Sequence, residues 1–96
     1  MALETKPWDV AEHLQDEEAM AAYIEAVLED GDPALVAAAI GDIARARGMA
    51  QIARETGRSR ESLYRALSDR GNPELATLMG VLKAMGLQLS VRPRTA

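Results

Sequence analysis

Residues 49–68 read Met49-Ala50-Gln51-Ile52-Ala53-Arg54-Glu55-Thr56-Gly57-Arg58-Ser59-Arg60-Glu61-Ser62-Leu63-Tyr64-Arg65-Ala66-Leu67-Ser68. The spacing predicts two short helices joined by a tight turn, the helix-turn-helix that sets one helix into a DNA groove. Ile52 and Ala53 share a helical face, and Ala53 is small enough for a second helix to cross close by. Gly57 falls four residues after Ala53, where the chain must reverse and a residue free to take positive φ is useful. Ser59 is placed to cap the next helix by accepting from the backbone N–H of Glu61 or Ser62. Leu63, Ala66 and Leu67 supply the buried stripe of that helix. Arg60, Glu61, Tyr64, Arg65 and Ser68 then point away from the core and form a polar, long-armed, basic face. A plain helical hairpin with a solvated basic face is the competing reading of the same residues.

Upstream, Glu29-Asp30-Gly31-Asp32-Pro33 is a helix stop and restart. Gly31 ends one helix, Asp32 caps the next, and Pro33 takes the first helical position, where its missing N–H costs nothing. The helix from Pro33 to about Arg47 buries Leu35, Val36, Ala39, Ile40, Ile43 and Ala44. Arg45 and Arg47 suit the negative end of its dipole, and Gly48 closes it. The preceding helix runs from an Asp16 cap to about Glu29, with Glu17 and Glu18 in its first turn and Met20, Tyr23, Ile24, Val27 and Leu28 as its buried stripe. Paired acids can serve acid–base catalysis, but no nucleophile, metal ligand or phosphate loop accompanies Glu17 and Glu18.

Residues 1–15 read as a separate N-terminal arm. Pro7 discourages an early helix. Trp8 either folds back on the core or anchors a partner. Asp9 and Glu12 form a possible capping box for a short helical piece through Leu14. His13, the only histidine, lacks companions for a metal site and reads as a surface residue.

Downstream, Asp69-Arg70-Gly71-Asn72-Pro73 repeats the logic of Asp32-Pro33, with Asn72 capping and Pro73 opening a last helix. Leu75, Leu78, Met79, Leu82 and Met85 are its expected buried face, and Gly86 ends it. Gly80 inside this helix suggests close packing against a neighbour. Residues 87–92, Leu-Gln-Leu-Ser-Val-Arg, alternate apolar and polar, a strand signal. A lone strand needs a partner. Pairing of Leu87, Leu89 and Val91 with a two-fold mate is one solution, pairing with another protein's sheet edge a second, and a frayed tail the third.

The 96 residues make one small domain, and its Ala-rich content reads as all-α. The domain itself is expected to span residues 16–96, with the strand at 87–92. The absence of cysteine excludes disulfides and thiolate metal sites. No stretch has the length of a membrane span and the N-terminus lacks a signal-peptide core, so the expected address is cytoplasmic. Charge is segregated. Residues 1–32 hold ten acids against Lys6, a net of 1 − 10 = −9. Residues 33–96 hold five acids against ten bases, a net of 10 − 5 = +5. A basic body with an acidic arm points to two partners of opposite charge. The plainer reading is that the acids keep the first helix soluble.

Beyond these patterns, residues 30–92 resemble the addiction-module antidote family, the HigA-type antitoxins with a lambda-repressor-like helix-turn-helix domain. The resemblance is carried by Glu29-Asp30-Gly31-Asp32-Pro33, Gly41-Asp42-Ile43-Ala44-Arg45-Ala46-Arg47-Gly48-Met49, Ile52-Ala53-Arg54-Glu55-Thr56-Gly57, Ser59 through Ser68, Gly71-Asn72-Pro73-Glu74 and Val81-Leu82-Lys83-Ala84-Met85-Gly86-Leu87. Asp9, Tyr23 and Leu28 extend it less specifically. It implies a five-helix domain with a short C-terminal strand, a homodimer on operator DNA, autorepression, and neutralisation of a RelE/ParE-like toxin, with no catalysis and no cofactor. A stand-alone phage-type repressor is the alternative. Two positions depart from the family pattern: Arg58 stands where an apolar residue is common after the turn glycine, and Gln51 sits two residues later than the usual glutamine.

Groove geometry then assigns roles. Arg60 and Arg65, about one and a half turns apart, are candidates for bidentate contact to guanine. Glu61 is placed to accept from cytosine or orient an arginine. Gln51, Arg58, Ser59, Arg70 and Asn72 are candidates for phosphate contacts, with Tyr64 and Ser68 on the same face. Since ribonuclease toxins must be basic to hold RNA, the acidic segment 8–32 is the expected toxin face, with Trp8, Asp9, Glu12, Asp16, Glu17 and Tyr23 as its contacts.

Overall fold

A computed structural model describes residues 16–94, so Pro7, Trp8, Asp9, Glu12, His13 and the capping box they flank lie outside the described residues. The described chain is all-helical, with α1 Glu17–Asp30, α2 Pro33–Arg47, α3 Met49–Thr56, α4 Arg60–Ala66 and α5 Leu75–Ala84. The caps follow the local sequence. Asp16 Oδ1 accepts from the Glu18 N–H at 2.8 Å, and Asp32 Oδ1 from the Ala34 N–H at 3.0 Å. Gly31 ends α1 in the left-handed conformation at φ 80°.

The helices enclose one core. Met20 and Ile24 of α1 meet Ile40, Ile43 and Ala44 of α2, Met49 and Ile52 of α3, Leu63 of α4, Val81 and Leu82 of α5, and Met85 just beyond it. Leu35 departs from expectation: it is half exposed, while α2 buries Ala39 as expected and turns Ala37 and Gly41 inward as well. Gly41 permits a close approach of α2 to the end of α4, because a Cβ there would stand 2.0 Å from the Leu67 carbonyl oxygen. Gly80 has no such role; its Cβ would rest in ordinary contact, 3.6 Å from Thr56 Cγ2.

Two downstream expectations are corrected. The last helix begins after Glu74, not Asn72, with no side-chain cap, and Pro73 stays outside it. A Cβ on Gly71 would lie 2.0 Å from the Ala66 carbonyl oxygen, so the chain crosses the end of α4 before it can coil. The helix then buries Thr77, Val81, Leu82 and Met85, and leaves Leu75 and Met79 63% and 52% exposed.

The strand expected at 87–92 is not formed. Leu87 is spent on the helix end: its N–H bonds the Leu82 carbonyl at 2.8 Å and that of Gly86 bonds Lys83 at 3.0 Å, with Gly86 left-handed at φ 80°. This Schellman ending tucks Leu87 against the core. Beyond it, residues 88–94 have no second extended segment among the described residues to pair with, and strand geometry is not held without a ladder. Leu87 is thereby half-buried, whereas Leu89 and Val91 remain exposed.

Candidate nucleic-acid interface

The α3–turn–α4 unit is built by local bonds. Gly57 leaves α3 at φ 71°, and the Arg58 N–H closes the turn on the Ala53 carbonyl at 3.1 Å. Because the backbone closes it, the turn does not need an apolar residue at 58, and Arg58 points to solvent. Thr56 Oγ1 donates to the Ile52 carbonyl at 2.8 Å, tying down the last turn of α3. Ser59 Oγ accepts from the Ser62 N–H at 3.0 Å, the cap expected from sequence. That bond uses an acceptor site and leaves the hydroxyl proton available to a further oxygen.

Leu63 and Leu67 are fully buried and fix the rotation of α4. Arg60, Glu61, Tyr64 and Arg65 consequently lie on its exposed side. Arg70 and Asn72 are exposed in the loop that follows, and Gln51 on α3. Two expected contacts are already engaged. Ser68 is half-buried and its hydroxyl shapes the loop, donating to the Arg65 carbonyl at 2.9 Å and accepting from the Arg70 N–H at 3.3 Å. Gln51 Nε2 donates to Glu55 Oε2 at 3.0 Å, which lays its amide along α3.

One residue of this surface was not legible as such. Arg45, at the end of α2, places its guanidinium 6.0 Å from the centre of the Tyr64 ring while bonding Asp42. A cation over a ring face at this distance is attractive, and the contact steadies Tyr64 at the rim of α4. The (i, i+3) pairing with Asp42 is visible in sequence, but nothing local links position 45 to position 64.

The expected toxin contacts scatter around α1. Asp16 is occupied as a cap, Glu17 stands 4.0 Å from Arg47 Nη1, and Tyr23 is half-buried against the core. Among the described residues no group of His, Cys, Asp or Glu is arranged to hold a metal ion, and no helix is long and apolar enough to cross a membrane.

Comparison with known proteins adds a relationship. Residues 4–93 match the family described as probable addiction module antidote protein. An uncharacterized protein of Haemophilus influenzae (strain Rd) is 51% identical over 92 residues, covering 96% of this chain and 95% of that protein. No solved structure matches.

Proposed function

The chain belongs to the addiction module antidote family, and on that premise we propose that it is the antitoxin of a type II module. In this reading it binds operator DNA through a helix-turn-helix formed by α3 and α4, represses its own operon as a homodimer in the cytoplasm, and neutralises a RelE/ParE-like toxin by direct contact. The observation that carries the DNA half is the orientation of α4: Arg60 and Arg65 are exposed to solvent while Leu63 and Leu67 are fully buried. Arginines tucked into the core would have been incompatible with it. Arg60 and Arg65 contact base edges, and Arg58, Ser59 and Arg70 contact phosphates.

The test is a gel shift on the operon's own upstream sequence, with two variants. Arg65→Ala costs about 1–3 kcal/mol of binding and relaxes preference at one base pair. Arg58→Ala weakens all sequences alike and flattens the salt dependence by about one unit. Identical behaviour of the two variants removes the division of roles, and no shift at all removes the DNA half. Co-purification with the product of the adjacent reading frame tests the toxin half; its failure favours a stand-alone repressor.

A further inference from the structure

We propose that the apolar face around Leu28, where α1 meets α2, α5 and the loop at 71–73, seats a basic amphipathic segment of the toxin partner; this rests on the antitoxin reading above. Leu28 is the centre of the face. It is 49% exposed in spite of its apolar chain, and it borders two shallow grooves. One, of about 110 Å³, is lined by Ile24, Leu82, Leu87 and Leu89 together with Leu28. The other, of about 320 Å³, lies between Leu28, Pro33, Val36, Pro73 and Leu78. Neither lining includes a residue of α3 or α4. Leu28 lines both grooves, so the two meet at one exposed apolar side chain.

Charge decides the occupant. Residues 16–32 hold seven acids (Asp16, Glu17, Glu18, Glu25, Glu29, Asp30, Asp32) and no base. At 3.6 residues per turn, Glu18, Glu25 and Glu29 fall in one row beside Leu28, on the side away from Met20 and Ile24, and that row runs about 16 Å along α1. All three are exposed, and none is in an ion pair among the described residues. Glu25 itself lines the smaller groove.

A duplex is a polyanion with no apolar ridge, and an anionic membrane surface is repelled in the same way. A second copy joined across Leu28 by a two-fold axis brings both acidic rows into one interface, where like charges facing each other are costly. What fits is a protein helix or extended segment that presents an apolar row to the grooves and Lys or Arg along one flank. The surface differs only in part from the Asp16, Glu17 and Tyr23 set: Tyr23 lies on the opposite edge of the buried stripe of α1, whereas Glu17 is on the side of Leu28, packed at Gly86 and 4.0 Å from Arg47.

The experiment is calorimetric titration of the full chain with the purified product of the adjacent reading frame, comparing wild type, Leu28→Asn and the double variant Glu25→Lys/Glu29→Lys. Thermal melts and the gel shift on the upstream DNA run alongside. Both variants are expected to bind the product at least ten-fold more weakly, with melting and DNA shift unchanged. The double variant also loses part of the salt dependence, which a purely apolar contact does not show. Binding of both variants within two-fold of wild type overturns the inference and leaves the antitoxin reading standing. Wild type that does not bind the product removes the antitoxin reading and the inference together. A change in the sedimentation of the chain alone assigns the face to a second copy and overturns the inference as well.

Discussion

Gly41 and Gly80 both lie within helices, and they answer to different demands. The helix interior disfavours glycine by about 1 kcal/mol relative to alanine. At position 41 that cost is repaid by the approach of α2 to the end of α4, since a Cβ would meet the Leu67 carbonyl at 2.0 Å, and backbone cannot rotate away as a side-chain tip can. At position 80 nothing repays it, because the added Cβ would be 3.6 Å from Thr56 Cγ2. Gly41→Ala is therefore expected to destabilise by about 2 kcal/mol or more through overpacking. A thermal melt reads this as a fall of about 10 °C, taking 4–8 °C per kcal/mol for a domain of this size. Gly80→Ala is expected to hold or raise the midpoint. A stable Gly41→Ala protein means that α2 and α4 do not cross as described. The sequence invites the opposite assignment, because closeness between helices is a property of their crossing and leaves no mark on the residues either side of the glycine.

At the scale of elements, what the sequence discloses is what neighbours in the chain decide. The caps at Asp16, Asp32 and Ser59 are bonds across two or three residues, and all three form. The turn at Gly57 and the burial of Leu63 are set within the same short stretch. The last helix shows where this ends. Leu75, Leu78, Met79, Val81 and Leu82 make α5 apolar nearly all round, so two stripes share the same period, and periodicity cannot choose between them. Tertiary packing against α3 selects Val81 and releases Leu75 and Met79. Asn72-Pro73 misleads for a related reason: its resemblance to Asp32-Pro33 is real, but the crossing at Gly71 delays the helix by two residues. The Arg45–Tyr64 contact is likewise hidden, since the two residues meet only after α2 and α4 have packed. Substitutions distinguish the stripes. Val81→Ala is expected to cost about 2 kcal/mol in a denaturant titration. Leu75→Lys and Met79→Lys are expected to stay within about 0.5 kcal/mol of wild type. The reverse ranking would restore the face expected from sequence.

Across the whole molecule the two charge territories become two surfaces. Arginines crowd α4 and its turns, acids crowd α1, and the apolar grooves beside the acids share no lining residue with α3 or α4. The tail beyond Leu87 touches the second surface only through Gln88, Leu89 and Ser90, which line the smaller groove. Val91 is 98% exposed, and residues 88–94 make no backbone hydrogen bond to the rest of the described chain. Removing residues 89–96 is thus expected to leave the melting midpoint within a few degrees, because no core contact is lost. If the tail pairs two copies, the same truncation shifts sedimentation from dimer to monomer and weakens operator binding steeply, since two half-sites are no longer held together. The separation of surfaces carries the stronger consequence. On the proposed reading, a partner seated on this face meets no residue of α3 or α4 and only Asn72 among the candidate phosphate contacts, so operator and toxin are expected to bind the chain together. Adding a saturating amount of the adjacent gene's product to the DNA complex is expected to slow the shifted band further, with operator affinity changed by less than about three-fold, under 1 kcal/mol by the usual tenfold-per-1.4 kcal/mol conversion. Release of free DNA on addition would show instead that the partner covers α4 or pries the dimer apart, and that the acidic side of α1 is not where it docks.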